Sequence, residues 1–280
     1  MSIVRFTAGE LWAREQLAQL RAARFAPRAV ARFLLASQRR ASEQRAARPQ
    51  TARRMRAWIA AGAAAWVTLA LARREPFRRR TGAFAAWWAL TWLMLDWHIG
   101  MLESEDGEPR NLGPADAFTL ARVWLVPAAA DAPRTWMCVL ALASDGLDGR
   151  LARASAPTRL GRDLEGLADA AFAAAALRGA RRRGWLGGPA ANAELARIGA
   201  GLGCTMLVWL GTARAPDAVV LHAARVTTPL RCGGLAAATL GRRRLADALV
   251  TAGAACSGAA TAAAFLRRAC SRRSRSRSSG

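Results

Sequence analysis

The sequence predicts an all-α, polytopic integral membrane protein, and three observations carry that expectation. Hydrophobic residues make up 53% of the 280 residues and are gathered into long runs, with none of the strict alternation that marks a strand. The runs are rich in Ala, about a quarter of the chain, and in Gly, small residues that let helices approach closely in lipid. Trp58, Trp87, Trp136 and Trp185 stand near run ends, where an interfacial aromatic belt would place them. The apolar content excludes a disordered chain.

Residues 1–56 form a basic, helix-permissive region with 13 Arg against Glu10, Glu15 and Glu43. Leu and Phe recur there at helical spacing with Arg between them. Two readings stand side by side: a basic amphipathic helix on an anionic membrane surface, or a solvated cytoplasmic extension. No compact apolar core of a signal peptide is expected in this stretch. Residues 57–110 hold two further apolar helices, over 57–72 and 83–102, followed by the acidic loop ESEDGEP. Asp96 and His98 interrupt the second run and are expected at an interface or lining a polar cavity.

Apolar segments continue over 117–130, 135–144, 164–177, 198–212, 226–240 and 245–266. Several fall short of the roughly 20 residues a bilayer requires, and reach it only by absorbing flanking Arg that snorkel. Arg122 lies inside the first of them and is expected to face a cleft or the headgroups. Residues 267–280 form an Arg/Ser tail, read as a disordered cationic end.

The formal net charge is +23 and all 42 basic residues are Arg. The Arg clusters at 73–80, 178–183, 242–244 and 267–277 fit no single alternation, so charge bias does not orient the chain. No nucleic-acid partner is expected, because no folded nucleic-acid module accompanies the RS-like tail. Five Cys without a CxxC pair and two His exclude a zinc or disulfide framework. Cys138, Cys204 and Cys256 are expected to pack as small hydrophobes.

One segment carries chemistry. Asp145 and Asp148 are three residues apart, and Glu165 and Asp169 four apart, so each pair shares a helix face. A short link over 154–160 would let both pairs converge. Carboxylates at membrane depth are costly unless paired or metal-bound. Oxygen ligands in this number suit Mg²⁺ or Mn²⁺, and four carboxylates can hold two such ions. Gly149 and Gly161 would allow a ligand close to the backbone. The alternative is pairing with Arg150, Arg153 and Arg162. A second cluster, Arg225, Thr227, Thr228 and Arg231 around Pro229, could bind a phosphate of an acceptor or lipid, or form an interfacial basic flank.

The stretch 145–169 resembles the signature of the CDP-alcohol phosphotransferases, D-x2-D-G-x2-A-R, seven to nine residues, G-x3-D-x3-D. Asp145, Asp148, Gly149, Ala152, Arg153, Gly161 and Asp169 match, and Glu165 replaces the third acid. The upstream GPADAFTLARVWLVP looks like the start of the family's first core helix. The resemblance covers about residues 111–266 and implies a six-helix core with residues 57–102 as two additional helices. It implies transfer of a phospho-alcohol group, in phospholipid synthesis a phosphatidyl group, from a CDP-alcohol such as CDP-diacylglycerol to an acceptor hydroxyl, releasing CMP. Asp145, Asp148 and Glu165 would then hold the metals, and Asp169 would ligate metal and take the acceptor proton. Gly149, Arg153, Thr158 and Gly161 would contact the CDP moiety. The implied setting is the cytoplasmic membrane among membrane lipids, with the site facing the cytoplasm. A homodimer is compatible with the resemblance. The competing class is a catalytically decayed paralogue that binds lipid or a partner.

Overall fold

The computed structural model describes residues 7–104, 107–154, 158–212 and 226–277, with the side chains of 114–115, 145–154, 159, 162–163, 208–212, 261 and 264–277 outside the described set. Those residues form α1 (Ala8–Ala22), α2 (Pro27–Ala47), α3 (Pro49–Leu71), α4 (Thr81–Trp97), a 3₁₀ turn (Ile99–Met101), α5 (Pro114–Asp131), α6 (Thr135–Ala154), α7 (Arg159–Arg182), α8 (Gly188–Thr212), α9 (Thr228–Thr239) and α10 (Arg243–Arg277). Among the described residues there is no strand, only an isolated antiparallel bridge between Glu103 and Pro109. The all-helical expectation agrees with this.

The membrane expectation does not. Among the described residues no helix is long and apolar enough to cross a membrane. The two additional N-terminal helices show why. In α3 the uncharged stretch begins only after Arg56 and the helix ends at Leu71. α4 has 17 residues, about 25 Å of helix against the roughly 30 Å hydrocarbon core. α5 carries Asp116, Arg122 and Asp131 within one helix. The polytopic reading is therefore corrected.

Local chemistry sets the helix ends. Thr7 and Glu10 cap α1 reciprocally: the Glu10 amide donates to Thr7 Oγ1 at 3.3 Å and the Thr7 amide donates to Glu10 Oε2 at 3.0 Å, satisfying two otherwise orphaned donors. Proline at the first position of α2, α3 and α5 has its ring already set for a helix. Arg24 and Phe25 adopt φ of 49° and 56° in the turn after α1, and the Phe25 amide reaches back to Leu20 O at 3.0 Å, closing the last turn as a Schellman motif does.

The chain divides into two compact units, Met1–Ala132 with Leu140–Ala176, and Pro133–Val139 with Leu177–Gly280. In the first, Ala52, Met55, Leu95, Ile99, Leu102, Leu112, Leu120 and Leu160 form one buried cluster. Beside it lies an aromatic cluster. Trp66 is fully buried, stacks on Phe84 at 4.0 Å between ring centroids and meets Trp124 edge-on at 5.3 Å. The Trp indoles thus serve this core as well as the surface: Trp87 Nε1 donates to Val123 O, Trp88 Nε1 to Ile59 O and Trp124 Nε1 to Gly62 O, at 2.7–2.8 Å. Gly62 is required there, because a Cβ would overlap the Trp88 ring. Trp58 and Trp136 remain exposed.

In the second unit, α9 packs on α10 through Leu235, Ala237, Ala238, Ala246 and Val250, all buried. The Gly187 amide before α8 donates to Asp247 Oδ1 on α10 at 2.6 Å. Cys138 is buried here, whereas Cys256 is exposed and does not pack as the small hydrophobe expected.

Candidate functional site

The candidate site lies in the first unit, where α5, α6 and α7 contribute to it. At the start of α5, Asp116 is buried. Its Oδ2 accepts the Gly113 amide at 2.7 Å and its Oδ1 accepts the Thr158 hydroxyl at 3.0 Å. Burial pushes the Asp116 carboxyl above its ordinary value, against the pull of those two hydrogen bonds. Thr158 in turn accepts the Gly161 amide at 2.9 Å, so it caps the first turn of α7. A Cβ at Gly161 would overlap Asp116 Oδ1. Gly161 therefore has a local reason to be glycine: it admits the Asp116 carboxylate.

Two turns along α7, Arg122 of α5 meets Asp169. Arg122 Nε lies 2.9 Å from Asp169 Oδ1, with the arginine side chain 1% exposed and the aspartate 41%. Arg122 Nη1 donates to Ser144 Oγ of α6 at 2.5 Å, and Nη2 to Thr119 Oγ1 at 3.4 Å. The expectation that Arg122 faces a cleft or headgroups is replaced by a buried, multiply bonded guanidinium, which is how a buried cation is tolerated. Contacts at Asp116 and then Arg122 on α5, and at Gly161 and then Asp169 on α7, advance in the same direction, so the two helices run parallel here.

Glu165 and Asp169 are both half-buried on α7, one turn apart. Asp145, Asp148, Gly149 and Arg153 lie on α6, but their side chains fall outside the described residues. Hence the structure brings Gly161, Glu165 and Asp169 onto one helix with Thr158 as its cap, and the convergence of the two acid pairs lies outside the described residues. Glu165 and Asp169 present hard oxygen donors of the kind that suit Mg²⁺ or Mn²⁺. Among the described residues no group of three His, Cys, Asp or Glu gathers into a metal site. The Thr158 hydroxyl, expected toward a nucleotide, is engaged by Asp116 and Gly161.

The second cluster resolves differently. Arg225 lies outside the described residues. Arg231 donates to Glu194 Oε1 at 3.1 Å and to Thr228 Oγ1 at 2.9 Å. Glu194 is itself fully buried and held by Arg197 through two hydrogen bonds of 2.8 and 2.7 Å. Arg231 is thus part of an internal ion network instead of an open phosphate site. Asp96 is paired with Arg45, and His98 Nδ1 contacts Met94 O at 2.7 Å.

Sequence reasoning missed Asp116, Ser144 and Glu194. For Asp116 a signal existed: an acid three residues after Gly113 and two after Pro114 marks the first turn of a helix. Ser144 and Glu194 carry no such local mark. No family model, curated protein or solved structure matches the chain.

Proposed function

We propose that the chain is a transferase that moves a phospho-alcohol group from a CDP-alcohol, CDP-diacylglycerol among them, to an acceptor hydroxyl with release of CMP. The observation that carries this reading is the placement of Glu165 and Asp169 one turn apart and half-buried on α7, within a stretch that matches the CDP-alcohol phosphotransferase signature at seven of eight positions. It rests on that spacing and not on a membrane-spanning fold.

In this reading Asp145, Asp148, Glu165 and Asp169 would hold two Mg²⁺ or Mn²⁺ ions, whose charge would offset that of the pyrophosphate. The acceptor oxygen attacks the phosphorus that bears the alcohol. The bond from that phosphorus to the bridging oxygen breaks, and CMP leaves with the electron pair. The acceptor proton passes to a carboxylate oxygen of Asp169. Arg122, bound to Ser144 and Thr119, fixes the rotamer of Asp169 from the α5 side, and orientation of this kind is worth orders of magnitude in rate. Thr158 and Asp116 hold the first turn of α7, and with it the helix that carries both acids. Gly149 and Arg153 are assigned to the CDP moiety on the signature alone.

A second reading draws on a specific observation. Arg122 occupies Asp169 as a salt-bridge partner, which suits a decayed paralogue that binds lipid or a partner without turnover. Purified chain with Mg²⁺, a panel of CDP-alcohols and a panel of hydroxyl acceptors separates the two. CMP release that disappears in Asp148→Asn supports the transferase. Its absence across the panel leaves the decayed paralogue.

A further inference from the structure

We propose that the α1–α2 hairpin is a docking surface for an anionic lipid bilayer, its cleft receiving a phosphodiester headgroup. The cleft has a volume of about 340 Å³ and is lined by Trp12 of α1 and by Arg32, Leu35, Arg39, Arg40 and Glu43 of α2. Arg32, Leu35, Arg39 and Glu43 are spaced three or four residues apart, with Arg40 beside Arg39, so they form one stripe along that helix. Arg40 lies over the Trp12 ring at 4.7 Å from its centroid, which fixes one wall of the cleft by a cation–π contact. Arg32 and Arg39 are exposed and make no ion pair among the described residues.

Charge and apolar surface are interleaved here. Residues 8–47 hold eight Arg against three Glu. Leu11, Phe25, Leu34 and Leu35 are 54%, 44%, 41% and 60% exposed. A polyanion such as RNA would satisfy the arginines but offers nothing to exposed leucines, and one face of Trp12 is already covered by Arg40. A bilayer surface satisfies both groups: phosphates meet the guanidinium groups while the leucines reach the acyl boundary. The helices would lie in the interface plane and none would cross it. This inference is independent of the phosphotransfer reading.

Vesicle flotation of the full chain tests it, with phosphatidylcholine alone and with about a third phosphatidylglycerol, a composition that gives an anionic surface. Binding is expected only to the anionic vesicles and falls as salt rises. Because each arginine near such a surface is worth about 1 kcal/mol, Arg32→Gln with Arg39→Gln should weaken partitioning about 30-fold, while Arg32→Lys with Arg39→Lys keeps most of it. Leu35→Gln should also weaken it. These side chains are exposed, so circular dichroism should show the helices intact in all three. The proposal is overturned if the Gln variant partitions like the wild type, if neutral vesicles bind equally, or if homopolymeric RNA binds with the same arginine dependence while vesicles do not.

Discussion

Arg122 and Asp169 bridge α5 and α7 with a strong asymmetry of burial: the guanidinium is enclosed and the carboxylate is nearly half in solvent. Breaking the pair from its two ends therefore has different consequences. Asp169→Ala takes a charged partner away from a buried cation, which costs about 3 kcal/mol or more. Arg122→Met leaves a carboxylate that water can solvate, and the methionine fills part of the space, so the loss should stay near 1 kcal/mol. Urea unfolding of both variants measures the difference. Equal losses would show that the ion pair does not set the stability of this junction.

Glu165 supplies the test of metal binding in the proposed reaction. Glu165→Gln removes a ligand charge and should raise the Mg²⁺ concentration for half-maximal CMP release. Glu165→Asp keeps the charge and restores the signature, and should be tolerated or faster. An active wild type whose metal dependence is unchanged in Glu165→Gln defeats the assignment of this residue.

Asp116 and Thr158 form a local unit that can be weighed by a double-mutant cycle. Asp116→Ala orphans the Thr158 hydroxyl and the Gly113 amide, and should cost about 2 kcal/mol. Thr158→Ala removes the α7 cap and strands part of a buried carboxylate, with a similar cost. Because both variants break the same contact, the double variant should fall short of the sum by about 1 kcal/mol. Additive losses would separate the two residues energetically.

Asp131 gives the pH dependence. Burial pushes its carboxyl up, but hydrogen bonds and charge from Arg79 and Arg80 outweigh that and bring it below the ordinary 3.8. A depressed folded-state value means that the unfolded chain binds the proton more readily. The stabilisation is therefore present above 3.8 and is lost as pH falls below it through the folded value. Asp131→Asn should lose about 2 kcal/mol at neutral pH and show a flatter stability curve below pH 3.8 than the wild type. Urea unfolding across that range is the measurement.

Cys138 and Cys256 should respond oppositely to alkylation. Burial pushes the Cys138 thiol up to about 12, leaving almost no thiolate at mildly alkaline pH, whereas Cys256 is exposed. Mass-spectrometric mapping after brief iodoacetamide treatment should find Cys256 modified and Cys138 untouched until denaturant is added.

Helical class was legible because apolar runs at helical spacing and proline at helix starts are local signals. The membrane reading failed because hydropathy counts residues and not their partners. Trp66, Trp87, Trp88 and Trp124 raise the apolar content of α3, α4 and α5, yet they stack on Phe84 or donate to backbone carbonyls of neighbouring helices. The pairing of Arg122 with Asp169, 47 positions downstream in the chain, has no local mark, since only the packing of α5 beside α7 creates it. Gly161 was noticed for the right residue type and the wrong neighbour: its missing side chain makes room for Asp116.

The three indole-to-carbonyl bonds at Val123, Ile59 and Gly62 also act as a vernier. Each couples one tryptophan to one rung of a neighbouring helix, α4 to α5, α4 to α3 and α5 to α3. Greasy faces of alanine and leucine slide past each other at little cost, because one turn resembles the next. Here a slip of one turn, about 5.4 Å, would break two of the three bonds whichever helix moved, parting those indole donors from their carbonyls. The tryptophans thus convert an interface that could adopt several axial settings into one with a single permitted alignment.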